Sequence, residues 1–353
     1  MVPELVAERN WFFRLSRYRE AVEEAITTGR IVILPEQRRN EVLAFVRGGL
    51  DDLSVSRSAL RAEGWGIPVS GDPSQTIYVW FDALANYITN LGFGSDDPGE
   101  FAHWWSGADE RIHIVGKGIT RFHAVYWPAI LLSAGLELPT RVLVHDYLTV
   151  DGGKIGKSHG NGTDPTMLVE RYGQDALRWW FCRDVPRVGD ADLSERGIAL
   201  RANELADGLG NLVSRVVALR ARHPRVDAAG SDSPVPHELT VLRASLAVLP
   251  AEIATAVDRH DIRAIADHAW ALVTDTNRAI SSIAPWLLAR QAAAGDPDAA
   301  AALDAVLDTL TSICVEIVNA LAPVLPAGAA RCQHALATGD PTLARSLFPK
   351  APT

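Results

Sequence analysis

The hydrophobic pattern of this chain changes near Asp190, and this change limits what the chain can fold into. Before Asp190, short apolar and β-branched runs alternate with stretches of helical spacing, which predicts a parallel sheet built from βαβ units. The predicted strands are residues 77–81, 111–115 and 141–145, and the predicted helices are residues 82–91 and 119–134. An average sheet has about five or six strands, so we expect an incomplete sheet.

After Asp190 the pattern is helical throughout. Ser194 can cap a helix whose apolar residues recur at spacings of three and four as far as Leu219. Further helices are predicted at residues 237–257, 261–283 (ended by Pro285) and 296–322. Four long amphipathic helices with short connections predict a helix bundle.

The N-terminal 70 residues have a mixed pattern, with a predicted basic helix around residues 11–24, a further stretch at residues 35–50 and a predicted loop at residues 64–75. The fold class is therefore α/β, with a partial parallel sheet followed by an all-α bundle. We expect four regions, at residues 1–75, 76–150, 151–193 and 194–353.

Charge and cysteine content exclude several classes of protein. The 353 residues include 34 basic and 43 acidic side chains, and the net charge of −9 argues against a generally basic nucleic-acid binder. Without an apolar run of about 18 residues or an apolar leader, a cytoplasmic protein that does not span a membrane is expected. Cys182, Cys314 and Cys332 lie far apart, which predicts free thiols and no zinc site built from cysteines.

Lysine is rare in this chain, and its positions point to a phosphate-binding loop. Only four basic residues are lysines, and three of them lie in two short segments that contain glycine: Lys117, Lys154 and Lys157. Lys154, Lys157 and Ser158 follow a strand predicted to end near Val150, and Asp164-Pro165 then begins a helix. Ammonium and hydroxyl donors beside a helix N-terminus favour a triphosphate. The alternative is a solvated glycine turn with ordinary surface lysines.

This loop resembles the K-M-S-K-S loop of the methionyl-tRNA synthetases, a family of class I aminoacyl-tRNA synthetases, and the resemblance extends along nearly the whole chain. Ile155 and Gly156 stand where the family has Met and Ser. The resemblance implies that the loop closes over the triphosphate of ATP and stabilises the transition state of adenylate formation. Lys157 would be the main catalytic lysine, with Lys154 as its helper and Ser158 beside them.

The resemblance also gives each predicted region a role. Residues 1–75 are similar to the end of the family's connective insertion and its return to the catalytic core. Residues 76–150 are similar to the second half of a class I Rossmann-type catalytic domain. Residues 151–193 are similar to the phosphate loop and the region that contacts the tRNA stem, and residues 194–353 to the α-helical anticodon-binding domain.

Two segments resemble the walls of the family's methionine pocket. Residues 78–84 with Tyr87 are similar to one wall, and residues 116–119, Phe122-His123 and Trp127-Pro128 to the other. The implied amino-acid-binding residues are Trp80, Ala83, Tyr87, Ile119, Phe122, His123 and Trp127. Aromatic and aliphatic side chains suit a flexible thioether. The alternative is that these aromatic residues are ordinary core packing and that His123 is a buried, hydrogen-bonded histidine.

One departure from the family lies in the second wall. The family has an acid after the Gly-Lys pair, where this chain has Gly118. That acid is expected to help hold the amino acid or the adenylate, so its loss bears on activity and on the substrate. Arg57 stands at a position that faces the active site in the family.

The helical half contains residues that resemble the anticodon readers of the family, namely Asn211, Arg215 and Trp286. Asn and Arg can hydrogen-bond to base edges, and an accessible Trp can stack on an unpaired base. Asn211 and Arg215 are four residues apart and share one helix face. The alternative is a Trp that caps a corner between helices and a solvated helix face.

The sequence contains no H-I-G-H-type motif, so the nucleotide-binding half of the catalytic core and the family's metal-binding knuckle are both expected to be missing. Half of an ATP site should catalyse adenylation poorly. An apolar sheet edge at residues 77–81 or 111–115 would need to be covered, which suggests a separate chain that supplies the missing half.

Three functional readings follow. The first is a methionine–tRNA ligase that is truncated or part of a split enzyme. The second is a non-catalytic tRNA-binding paralog, and the third is an amino-acid-activating domain in small-molecule biosynthesis. The resemblance implies methionine, ATP with Mg²⁺ and a methionine tRNA as ligands, and no protein-bound zinc in this chain.

Overall fold

The computed structural model describes residues 8–61, 65–155, 162, 164–225 and 234–352, and it divides into two compact units, one ending at Tyr147 and one beginning at Leu148. The strands of the first unit are β1 (Phe12–Phe13), β2 (Val32–Leu34), β3 (Leu53–Ser54), β4 (Ser56–Ser58), β5 (Pro68–Val69), β6 (Asp72–Ile77), β7 (Ile112–Gly116) and β8 (Arg141–His145). Its helices are α1 (Arg19–Thr27), α2 (Glu36–Arg47), α3 (Val79–Thr89), α4 (Gly99–Phe101) and α5 (Trp127–Ala134). Short 3-10 turns cover Leu15–Tyr18 and Lys117–Ile119, and π-helical turns cover Ala102–Ser106 and Phe122–Tyr126.

A parallel sheet of three strands forms the centre of the first unit. Its order is β2-β8-β7, so that β8 is the middle strand and β7 is an edge strand. The β-branched side chains of Val115, Val142 and Val144 are buried between the sheet and its helices. The predicted strands at residues 111–115 and 141–145 are confirmed as β7 and β8.

The predicted strand at residues 77–81 is wrong. β6 ends at Ile77, and α3 begins at Val79. A short apolar run fits a strand or a helix equally well, and here it belongs to a helix whose Leu84 and Ile88 are buried one turn apart. The third strand of the parallel sheet is β2, a run of only three residues.

Two predictions for the first 75 residues also need correction. The predicted helix at residues 11–24 begins only at Arg19, because Phe12–Phe13 pairs as β1 with β3 and a 3-10 turn follows. The predicted loop at residues 64–75 contains a hairpin, in which β5 and β6 are joined at Gly71. Gly71 has a φ of +80°, a conformation that glycine adopts without steric cost and that tight hairpin turns require.

The second unit is mainly helical. Its strands are β9 (Leu148–Val150), β10 (Gly153–Lys154) and β11 (Ala191–Asp192), in the order β10-β9-β11. Its helices are α6 (Pro165–Tyr172), α7 (Gln174–Asp184), α8 (Glu195–Leu205), α9 (Asn211–Arg222), α10 (His237–Asp258), α11 (Ile262–Ile283), α12 (Pro285–Ala293), α13 (Pro297–Leu321) and α14 (Pro326–Thr338). A π-helical turn, Ala206–Gly210, joins α8 to α9, and a 3-10 turn covers Leu343–Ser346.

Side-chain caps explain why the helix starts could be predicted. Asp164, Ser194, Asp261 and Asp296 each accept a hydrogen bond from a backbone N–H in the first turn of the following helix. The helices α12 and α14 were not predicted, because each begins with a proline soon after another helix, separated by one residue from α11 and by four residues from α13. Proline ends one helix but is also favoured in the first turn of the next.

The core of the helical unit contains α10, which packs against α11 and α13. By length and composition α10 could cross a membrane, and only 22% of its most apolar stretch is buried in the structure. Its Leu239, Leu242, Leu246 and Leu249 lie in this core. The predicted free thiols are confirmed, since Cys182, Cys314 and Cys332 are all buried and unbridged.

Candidate active site and anticodon surface

The carboxyl ends of two parallel strands define the candidate amino-acid pocket. β7 ends at Gly116 and β8 at His145, side by side in the sheet. In open α/β sheets, ligands bind outside the carboxyl ends of the strands. The 3-10 turn after β7 and the π-helical turn Phe122–Tyr126 then form one side of this region, and α3 forms the other. π-Helical turns occur frequently at functional sites.

Aromatic rings from both predicted walls meet here. The rings of Trp80, in the first turn of α3, and Phe122, in the π-helical turn, have centroids 4.6 Å apart and an interplanar angle of 32°. Both residues are only half-buried, so part of each ring is accessible to a ligand. Two turns further along α3, the Tyr87 ring lies 6.2 Å from that of Trp127, which is buried.

A hydrogen-bond chain links the two walls through His123. The Tyr87 hydroxyl is 2.9 Å from His123 Nε2, and His123 Nδ1 is 2.9 Å from the carbonyl oxygen of Ile119. Since a carbonyl oxygen only accepts, Nδ1 of the neutral ring carries the proton and Tyr87 donates to Nε2. Burial lowers the pKa of His123 below its ordinary value and so favours this neutral form.

His123 is therefore a buried, hydrogen-bonded histidine, 2% exposed, as in the alternative that the sequence left open. Within the described contacts it reaches the pocket through the hydroxyl of Tyr87, which is itself 38% exposed.

His113 is a residue of this cluster that the sequence reasoning missed. Its ring centroid lies 4.3 Å from that of Tyr87 and 5.7 Å from that of His123. The side chain is buried, and burial, helped by the neighbouring His123, lowers its pKa from 6.5 to about 4. The available signal was the alternation along β7, which directs His113 and Val115 to the same buried face.

The other predicted pocket residues lie at the margin of the cluster. Ile119 is half-buried and contributes its carbonyl to His123, while Ala83 is exposed on the α3 face that also carries Trp80 and Tyr87. Arg57 does not join the ring cluster in any described contact. Its guanidinium lies 4.3 Å from the centroid of the Tyr78 ring and donates to Ser54 Oγ and to the Ser56 carbonyl.

The predicted phosphate loop belongs to the second unit. Lys154 is exposed and ends β10, which pairs with β9. In the turn between these two strands, the Gly152 N–H donates a hydrogen bond to the carboxylate of Asp192 in β11. Lys157 and Ser158 lie outside the described residues. Asp164 caps α6 as predicted.

The predicted anticodon residues form a second cluster, on the helical unit. The Arg215 guanidinium lies 6.0 Å from the centroid of the Trp286 ring, a cation–π arrangement that joins α9 to the start of α12. Trp286 is 41% exposed. Asn211 is exposed one turn before Arg215, directly after the π-helical turn.

No metal site is evident in the part of the chain that the structure describes. None of these residues form a group of three or more His, Cys, Asp or Glu side chains that could hold a metal ion.

Comparisons with known proteins agree with one another. Residues 1–217 match the family described as tRNA synthetases class I (M). The methionine–tRNA ligase of Nostoc is 43% identical over 80% of this chain and 53% of its own length. The methionine–tRNA ligase of Rhizobium meliloti is 39% identical over 93% of this chain and 61% of its own length. The Mycobacterium tuberculosis methionyl-tRNA synthetase bound to methionyl-adenylate is 34% identical with a TM-score of 0.84, over 98% of this chain and 68% of that one. The chain thus spans about half the length of several curated relatives.

Proposed function

The chain belongs to the methionyl family of class I aminoacyl-tRNA synthetases, and from this membership we propose that it is the part of a methionine–tRNA ligase that binds methionine and a methionine tRNA. The observation that carries the proposal is the meeting of Trp80 and Phe122 beside the Tyr87–His123 hydrogen bond. Half-exposed aromatic rings make favourable contacts with a thioether sulfur.

Each group has a distinct task in this proposal. Adenylate formation joins the methionine carboxylate to the α-phosphate of ATP and releases pyrophosphate, with ATP bound as its Mg²⁺ complex. The rings of Trp80 and Phe122 hold the side chain, and the oriented Tyr87 hydroxyl keeps its acceptor lone pairs for the ligand. Lys157, with Lys154 and Ser158, stabilises the charge that develops on the phosphates. We propose that this takes place in the cytoplasm.

Methionine binding is the direct test. Isothermal titration calorimetry of the whole chain with methionine, leucine, glutamine and norleucine should show binding of methionine and weaker binding of norleucine, which lacks the sulfur. Absence of methionine binding would contradict the proposal. Tighter binding of another amino acid would instead support an amino-acid-activating domain of different specificity.

The open edge of the parallel sheet supports a further part of the proposal, a separate chain that pairs with this edge and supplies the nucleotide-binding half of the catalytic domain. Among the described residues, β7 pairs with β8 on one side and with no strand on the other. Its Ile114 is 72% exposed and its Ile112 is 38% exposed. A groove of about 280 Å³, lined in part by Leu91 and Trp104, runs beside this edge. An exposed apolar edge strand is a template for pairing with another chain.

Complementation tests this split-enzyme proposal. The chain, mixed with a separately expressed N-terminal half from a methionyl enzyme, should catalyse methionine-dependent exchange of pyrophosphate into ATP. Ile114→Lys should abolish the exchange by placing a charge on the pairing edge, whereas Leu60→Lys, at a residue that is 88% exposed elsewhere in the same unit, should not. No exchange from a mixture of folded, methionine-binding partners would count against a split enzyme.

A non-catalytic tRNA-binding protein is the second candidate, and the Arg215–Trp286 pair favours it. Trp286→Ala should weaken binding of a methionine tRNA about tenfold, because stacking on an aromatic ring is worth roughly 1–3 kcal/mol per base. Trp286→Phe, which keeps a ring, and Leu287→Ala, on the exposed surface of the same helix, serve as controls. Filter binding with methionine and unrelated tRNAs measures the effect, and equal affinity for all tRNAs would contradict it.

A further inference from the structure

A side chain at position 118 would have to displace the hydroxyl of Tyr147. A β-carbon built on Gly118 would overlap the hydroxyl oxygen of Tyr147, and it would lie only 3.4 Å from Tyr147 Cζ. At Gly116, two residues earlier, the nearest atom to such a carbon is 3.6 Å away, an ordinary contact. Of these two glycines only Gly118 is restricted, and the restriction comes from the hydroxyl at the end of the Tyr147 side chain.

The same part of the chain supplies a negative charge. The Asp146 side chain is only 3% exposed, and its Oδ1 lies 3.4 Å from Lys117 Nζ. Asp146 also forms an ion pair with Arg38, which in turn pairs with Glu41. A carboxylate is therefore fixed beside Lys117, the residue directly before Gly118. Buried carboxylates are retained where cations compensate them, as here.

Tyr147 completes this arrangement. Lys117 Nζ lies 4.8 Å from the centroid of the Tyr147 ring, so the ammonium is held by a ring face and by a carboxylate from consecutive residues after β8. Gly118 itself is exposed, and the Tyr147 hydroxyl fills its side-chain space at the carboxyl end of β7. A tyrosine hydroxyl is both a hydrogen-bond donor and an acceptor.

We propose that Tyr147 and Asp146 together replace the acidic side chain that position 118 lacks. The Tyr147 hydroxyl occupies the place of that side chain and hydrogen-bonds to the bound aminoacyl-adenylate. Asp146 supplies the negative charge from the neighbouring strand end and acts as a positioning residue through Lys117. This assignment rests on the proposed function. In the present conformation, a side chain at position 118 and the hydroxyl of Tyr147 would occupy the same space.

Binding of methionine and of a stable methionyl-adenylate analogue, measured by calorimetry on the whole chain, tests the assignment. Tyr147→Phe should weaken binding of the analogue about tenfold, the effect of losing one hydrogen bond to a polar ligand. Adding Gly118→Asp to Tyr147→Phe should restore affinity, because the carboxylate now fits, whereas adding Gly118→Ala should not. Tyr18→Phe, at a tyrosine that stacks on Phe13 and has no described contact with Gly118 or Lys117, is the matched control.

Comparing the two ligands shows which part of the adenylate the Tyr147 hydroxyl contacts. Equal losses for methionine and for the analogue assign the hydroxyl to the amino-acid portion, and a loss confined to the analogue assigns it to the nucleotide portion. Wild-type affinity in Tyr147→Phe would overturn the assignment of Tyr147, and wild-type affinity in Asp146→Asn would overturn that of Asp146. Absence of binding by the wild-type chain would overturn the proposed function, and this inference with it.

A ligand-free measurement checks the steric half of the argument. Gly118→Ala should lower the melting temperature of the otherwise wild-type chain but should have little effect in the Tyr147→Phe background, where the overlapping oxygen is gone. Equal effects in the two backgrounds would overturn the inference.

Discussion

Trp80→Ala is expected to weaken methionine binding about thirtyfold. The half-buried indole lies against Phe122, with ring centroids 4.6 Å apart, and its remaining exposed surface is the part of the pocket wall offered to the ligand. Removing an apolar contact of this size costs about 2 kcal/mol, which corresponds to a thirtyfold change in the dissociation constant. Calorimetric titration with methionine measures the effect.

The matched control is Trp65→Ala, the same chemical change at a residue that is 73% exposed in the same unit. It should leave the affinity for methionine unchanged. Trp80→Phe, which keeps a ring against Phe122, should lose less affinity than Trp80→Ala. If Trp80→Ala retains its circular dichroism spectrum and still binds methionine as tightly as the wild type, Trp80 does not belong to the pocket.

Acidification is expected to destabilise the chain through His113 by about 3 kcal/mol between pH 7 and pH 4. Burial lowers the pKa of His113 to about 4 in the folded state, against about 6.5 in the unfolded chain. Between these two values the unfolded state binds the extra proton, so stability rises with pH. The contribution is fully present above about pH 6.5 and is lost as the pH falls toward 4.

Comparison of variants separates the loss of stability caused by protonation of His113 from the loss caused by protonation of carboxylates. Urea unfolding at pH 7 and at pH 4.5 should show a smaller loss for His113→Phe than for the wild type, because phenylalanine keeps the ring beside Tyr87 but does not titrate. His103→Phe, at an exposed histidine of the same unit, should behave like the wild type. Identical pH dependence in the wild type and His113→Phe would contradict the buried neutral histidine.

The parts of the fold that could be predicted have strong local signals. β7 and β8 are five-residue runs rich in β-branched side chains. The capped helices have an Asp or Ser directly before their first turn. β2 is too short to show a period, and the apolar run after Ile77 fits a strand and a helix equally. Pairing with β8 and packing of Leu84 decide these cases, and both are tertiary effects.

Some residues of the candidate site could be predicted from the sequence and others could not. Residues within one motif, such as Trp80 with Tyr87 or Phe122 with His123, could be listed from spacing and resemblance. His113 could not be recognised as part of the cluster, because its importance comes from the rings that surround it. The close approach of Gly118 and Tyr147 could not be predicted, because these residues are 29 positions apart in the sequence and are brought together only when β7 pairs with β8.

The π-helical turn at Phe122–Tyr126 has a consequence for how this pocket can change over evolution. An α-helix rotates by about 100° per residue. Because a π-helical turn contains one additional residue, the side chains that follow it point in different directions around the helix axis than they would in a regular α-helix. Deleting a single residue there would produce a more regular helix. It would also swing Trp127 and α5 away from the direction set by Ile119 and so dismantle the binding wall. Selection for ligand binding should therefore maintain the length of this segment more strictly than its amino-acid composition.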